Sequence, residues 1–169
     1  MTHSPLGLLH LITAFAAISF GAMVLIRPKG NRLHRFLGYA YALSMLMLNG
    51  TALAIYRLSG RFNFLHIFAI ISLVTLLVGL SFAIRRRPVD RWLNLHYRFM
   101  GRSYIGLMAA LVAESSTRVA LPWLQRHGFT SFGLFWVIVG LATAIVFGIG
   151  AHLEKTYGFA AARRIQLKT

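Results

Sequence analysis

The sequence predicts an all-α, polytopic membrane helix bundle with five transmembrane helices, and three observations carry that prediction. Of its 169 residues 57% are hydrophobic and only 12% charged, with a mean hydropathy of +0.67, whereas a soluble domain carries about 25% charged residues. Four stretches, 1–26, 36–56, 62–84 and 128–153, contain no Asp, Glu, Lys or Arg, and each reaches the roughly 20 apolar residues that cross a hydrocarbon core. The basic residues gather mainly between those stretches.

The first span, about 5–26, has no basic residue before it and an apolar run longer than that of a secretory signal, so it reads as a retained helix. Pro28-Lys29-Gly30-Asn31 is a turn in which Asn31 can cap the second span, about 34–57, and Ser59-Gly60 ends that span. The third runs over about 63–84. Pro88-Val89-Asp90 repeats the turn chemistry, with Asp90 expected as the cap of the fourth span, about 94–119. Its segment from Phe99 to about Leu121 is long enough to cross but contains Arg102, Glu114 and Arg118. Pro122 and Gly128 bracket a loop before the fifth span, 131–153, and 154–169 reads as a basic tail beside anionic lipid.

The positions of the charges give an orientation. The net charge is +15, from 18 Lys and Arg against three acids, Asp90, Glu114 and Glu154. On one side lie Arg27, Lys29, Arg32 and Arg35, then Arg85, Arg86, Arg87, Arg91, Arg98 and Arg102, then Lys155, Arg163, Arg164 and Lys168. The other side has Arg57, Arg61, Arg118 and Arg126. Fourteen against four places the N-terminus outside and the C-terminus in the cytoplasm, and accounts for the basic excess without nucleic acid. The absence of cysteine excludes disulfides, iron–sulfur clusters and thiol nucleophiles, and three scattered acids exclude carboxylate metal cages. A Ser-His-Asp hydrolase fails because Asp90 is the only Asp, and no P-loop, dinucleotide fingerprint or His-Glu-x-x-His is present.

The chain repeats itself. Leu9-His10-Leu11 opens the first span and Leu65-His66-Ile67 the third. Arg35-Phe36-Leu37-Gly38 with Tyr41 and Met45 opens the second, and Arg98-Phe99-Met100-Gly101 with Tyr104 and Met108 opens the fourth at the same spacing. A tandem repeat of helical hairpins follows, 5–63 and 64–121, forming a four-helix core in a single 1–169 membrane domain with a fifth helix appended. The strings His10 to Gly21, Leu33-His34-Arg35-x-x-Gly38-x-x-Tyr41 and His96-x-Arg98-Phe99-Met100-x-Arg102-Ser103-Tyr104 resemble a family of predicted bacterial membrane proteins classed as a domain of unknown function (DUF2306). The resemblance covers roughly 5–120. It implies a multi-helix protein of the bacterial cytoplasmic membrane and no established activity.

Polar groups placed in lipid are costly and mark function by default. With the N-terminus outside, His10 and His66 fall near the outer surface on helices 1 and 3, and His34 and His96 near the inner surface on helices 2 and 4. Seventeen residues separate His10 from Arg27, about 25 Å of helix. Two histidine pairs at two levels of a four-helix bundle are what two b-type haems require, one axial nitrogen from each of two helices. The layout resembles that of two-haem transmembrane b-type cytochromes. Arg35, Arg98 and Arg102 are then expected near haem propionates. His152 competes as an inner ligand, on the stripe Gly140, Ala144, Gly148 and His152.

Glu114 and Arg118, four residues apart, form either a local ion pair or, with Asn49 and Thr51, an outer cavity for a quinone, an organic reductant or a proton. The sequence thus supports b-haem-linked transmembrane electron transfer, a membrane oxidoreductase function with a redox partner or quinone. The alternative is a haem-free small transporter or accessory membrane subunit, in which small-residue stripes only pack helices and interfacial histidines and arginines only anchor them.

Overall fold

The computed structural model describes residues 4–55, 62, 64–128 and 132–166, and among them the secondary structure is helical, with no strand. Helix α1 is Pro5–Ile26, α2 Arg32–Ala54, α3 Phe64–Arg85 and α4 Trp92–Ser115; a π-helical turn, Ser116–Ala120, leads into α5, Leu121–Arg126, and α6 is Phe132–Gln166. Ser59-Gly60, Arg57, Arg61, His3 and Lys168 lie outside the described residues.

Among the described residues four helices are long and apolar enough to cross a membrane: Pro5–Ile26, Arg32–Ala54, Leu65–Arg85 and Phe135–Thr156. Four of the five expected spans meet that measure, α4 being the one that does not. Helix α4 has 24 residues, ample length for a span, but Arg98, Arg102 and Glu114 dilute its apolar character. The helices are inside-out by the standard of a soluble protein: Ile12, Phe15, Phe36, Leu43, Ile71, Leu141 and Ile145 are exposed, whereas the enclosed face of α2 includes Ser44, Asn49 and Thr51. An apolar exterior of this extent is stable only against lipid.

The helix ends follow from local chemistry. Ser4 caps α1, its hydroxyl accepting from the Gly7 N–H (3.1 Å), with Pro5 at the first helical position. Asn31 caps α2 as expected, its Oδ1 accepting from the His34 N–H at 2.7 Å. Asp90 does not cap α4. Its carboxylate accepts from Arg91 Nε, and the turn is closed by the Pro88 carbonyl, which accepts from the Arg91 and Trp92 N–H groups.

The chain forms two compact units, Met1–Tyr104 and Ile105–Thr169. In the first, α1, α2, α3 and the start of α4 are tied by side-chain bonds: His10 to Thr51, Asn49 to Ser72, Tyr41 to Ser103, and Tyr104 to the Ile18 carbonyl. The enclosed face of α1 is Thr13, Ala17 and Gly21. Gly21 is required there, because a Cβ would lie 2.4 Å from two ring carbons of Tyr104 and 3.0 Å from one of Tyr41.

In the second unit Ala113, Phe135 and Val139 form a small core, with Trp136, Leu121 and Leu124 against it. The residues from Pro122 to Gly128 are not simply a loop. Leu121 donates to the Ser116 carbonyl, five residues back, and the chain stays helical to Arg126. Proline has no N–H for the carbonyl four residues behind it, and its ring crowds that carbonyl; widening the preceding turn to π geometry absorbs the misfit. Gly128, at φ 82, then ends α5. Helix α6 also outruns the expected limit at 153 and carries the basic segment as helix to Gln166.

Candidate functional site

At the end of the first unit where α1 and α3 finish and α2 and α4 begin, His34 and His96 come within electrostatic reach of each other and Lys29 within reach of His34. His34 is fixed to the first turn of α2 through its own N–H, and its Nδ1 is enclosed without a hydrogen-bond partner. His96 is oriented by α3: its Nδ1 lies 2.8 Å from the Gly79 carbonyl oxygen. A carbonyl only accepts, so Nδ1 carries the proton, and in the neutral ring Nε2 carries the lone pair. This is the arrangement that outer-shell carbonyls impose on metal-binding imidazoles.

The close approach behind that bond depends on Gly79. A Cβ there would lie 2.9 Å from Met100 Sδ and 3.0 Å from Phe99 Cβ, so a side chain would push α3 away from α4. Phe82 and Phe99 pack in the same layer, with ring centroids 5.8 Å apart. On the other side, a Cβ added at Gly38, one turn past His34, would meet no atom within 4 Å. Lys29 closes the end of α1, its Nζ donating to the carbonyls of Val24, Leu25 and Arg27 at 2.6, 2.7 and 3.0 Å. Burial pushes its ammonium below the ordinary lysine range. Arg35, Arg98 and Arg102 all have exposed side chains.

At the opposite end, His10 Nδ1 is 2.9 Å from Thr51 Oγ1. The Thr51 hydroxyl has the carbonyls of Leu48 (2.8 Å) and Met47 (3.0 Å) within reach for its one proton, which leaves its oxygen to accept from His10. His66 is buried on the first turns of α3, its ring 5.0 Å from that of Phe62. Asn49 donates to the Met45 carbonyl (2.8 Å) and to Ser72 Oγ (3.3 Å).

In the second unit Glu114 and Arg118 are a local ion pair, Arg118 Nε donating to Glu114 Oε1 at 2.9 Å and its terminal nitrogen to the same oxygen. His152, Gly140, Ala144 and Gly148 lie on the exposed side of α6. The close contact of that helix is at Gly150 instead, where a Cβ would sit 2.6 Å from two carbons of Ile105. Among the described residues no group of three or more His, Asp or Glu converges as ion ligands.

The sequence reading named both histidines of the close pair. It missed Gly79 as the acceptor for His96 and Ser103 as the partner of Tyr41, and it grouped Thr51 with Glu114 rather than with His10. One signal for Ser103 was present: it follows His96 by seven residues, as Tyr41 follows His34.

The family described as predicted membrane protein (DUF2306) matches residues 7–149. No curated protein and no solved structure matches this chain.

Proposed function

The chain belongs to the DUF2306 family of predicted membrane proteins, and from that premise we propose that His34 and His96 hold a b-type haem between α2 and α4 for electron transfer within the membrane. One observation carries the reading. His96 has its Nδ1 proton committed to the Gly79 carbonyl while His34, on another helix, lies within its electrostatic reach and has an enclosed ring nitrogen with no hydrogen-bond partner among the described residues. A bis-imidazole site needs two neutral rings from two helices, at least one oriented through its far nitrogen.

When bound, haem would supply one-electron chemistry, and the protein's part is ligation, orientation and exclusion of water. His96 is held by Gly79, and Gly38 leaves open space at its own position on the neighbouring turn of α2. Arg35, Arg98 and Arg102, exposed at that end of the helices, would pair with the propionates. His10 and His66, at the opposite end of the unit, are the ligands for a second haem in the same reading; the His10–Thr51 bond supports His10 as an oriented imidazole. We read α4 as a fifth span, the N-terminus as outside and the membrane as the bacterial cytoplasmic membrane, on the fourteen-to-four charge bias. A quinone or a protein redox partner would take the electrons.

The test is to titrate the full chain with haemin in mild detergent and record reduced-minus-oxidised spectra. The expected result is a sharp Soret and α-band difference from which His34→Ala and His96→Ala each remove the share of the inner haem and which His152→Ala leaves intact. A monodisperse, helical protein that takes up no haem contradicts the proposal and favours a haem-free transport or accessory role.

A further inference from the structure

Two turns deeper than the histidine pair, the same two helix faces are joined by a buried bond. Tyr41 follows His34 by seven residues and Ser103 follows His96 by seven, which on a helix is two turns, about 10 Å, on one face. Tyr41 Oη lies 2.9 Å from Ser103 Oγ, and the two residues are 2% and 1% exposed. Ser103 donates its single proton to the Met100 carbonyl at 2.8 Å, so Tyr41 is the donor in the bond between them.

The phenol cannot swing aside. Gly21 presents backbone to it from α1, and the Tyr104 ring lies 6.3 Å away, itself held through a hydroxyl that donates to the Ile18 carbonyl (3.3 Å). A whole tyrosine side chain, a hydrogen bond and a serine therefore span from α2 to α4. Two interdigitating aliphatic side chains would let the helices close further at that depth. Between this strut and the histidines, α2 contributes the buried Leu37 and, beside it, Gly38, where a Cβ would meet nothing within 4 Å.

We infer that Tyr41 and Ser103 are positioning residues, a strut that sets the gap between α2 and α4 and forms the inner edge of a site for a planar, largely apolar macrocycle. This rests on the His34–His96 reading. The ring of Tyr41 supplies an apolar wall, and the bond to Ser103 fixes the width at which the two imidazoles face one another.

The experiment is a double-mutant cycle on haemin binding by the full chain in detergent, with Tyr41→Phe, Ser103→Ala and the double variant. Each single change removes one hydrogen bond and nearly nothing of the packing. Each is expected to weaken haemin binding about fivefold, the scale of one buried neutral hydrogen bond. Part of the six-coordinate Soret signal should give way to a five-coordinate one. The double variant should bind no more weakly than either single, because both changes delete the same bond. Wild-type affinity and spectrum in both singles, with the chain monodisperse, overturns the strut. Losses that add in the double variant overturn it as well. If one single variant fails to fold, the other decides by the same criterion. A wild-type chain that binds no haemin overturns the reading of the histidine pair and this inference with it, an outcome distinct from a wild type that binds and variants that do not differ.

Discussion

Replacing Gly21 by alanine adds one methyl group where three helices meet, and the structure sets the size of the effect. The new Cβ would lie 2.4 Å from Tyr104 Cδ2 and Cε2 and 3.0 Å from Tyr41 Cε2, against a favourable carbon–carbon separation of about 3.5–4.0 Å. The Tyr104 ring would have to move by more than about 1 Å to restore that separation. Its movement would strain the bond to the Ile18 carbonyl and the contact with Tyr41, which is itself held by Ser103. Overpacking of this kind costs about 1–3 kcal/mol, and alanine recovers up to about 1 kcal/mol through its better helix propensity. The expected net loss for Gly21→Ala is about 1–2 kcal/mol. Gly50→Ala in α2 is the matched control, since a Cβ there meets nothing within 4 Å; it should be neutral or slightly stabilising. Unfolding of both variants in mixed micelles, titrated with a denaturing detergent and followed by helicity, gives the comparison. Gly21→Ala at or above wild-type stability would refute the three-helix packing around Tyr104.

Two further substitutions test separate parts of the molecule. In the second unit Gly150→Ala drives a Cβ to 2.6 Å from two carbons of Ile105, so unfolding stability should fall by about 1–2 kcal/mol, and Ile105→Ala in the same background should restore part of it. Gly38→Leu introduces a side chain where a Cβ meets no protein atom within 4 Å. The haem-free protein should keep its thermal stability while haemin binding at the His34–His96 site is lost; an unchanged binding stoichiometry would argue that the macrocycle does not pass over α2 at that turn.

Much of the fold is legible in the sequence because its strongest signals are one-dimensional. Four charge-free runs delimit α1, α2, α3 and most of α6, and Asn31 marks its cap correctly through a short side chain that reaches its own backbone. The misreadings share a cause: they depend on what a residue meets in space. Pro122 reads as the edge of a loop, but the chain stays helical through it to Arg126, with a π turn at Ser116–Ala120 before it and the Ser116 and Thr117 hydroxyls donating to the Val112 and Glu114 carbonyls. The small residues of α6 fit more than one face, and Gly150 rather than the Gly140–Gly148 stripe makes the close contact. Helix α4 has the length of a span, yet its three charges lower its hydropathy without interrupting the helix.

At the candidate site, the sequence reveals levels and not partners. Counting residues along helices 2 and 4 puts His34 and His96 at one depth, and the folded chain brings them within reach. It cannot reveal that His96 is held by a backbone carbonyl, because Gly79 contributes no side chain to the pattern. The Tyr41–Ser103 bond stands between these extremes, foreshadowed by the shared seven-residue offset but identifiable only once the two faces meet. His10 likewise finds Thr51 across α1 and α2 from positions 41 residues apart.

The central claim is that α2 and α4 each give one imidazole to a single haem iron. Low-temperature electron paramagnetic resonance of the haemin-loaded ferric protein tests this most directly, using the wild type with His34→Ala and His96→Ala. The account predicts a low-spin, six-coordinate signal of two imidazole ligands in the wild type, of which the share of the His34–His96 haem is converted to a high-spin signal or lost in each variant while that of the His10–His66 haem remains. A wild-type low-spin intensity that neither substitution reduces, or a folded wild-type protein that gives no haem signal, would contradict it.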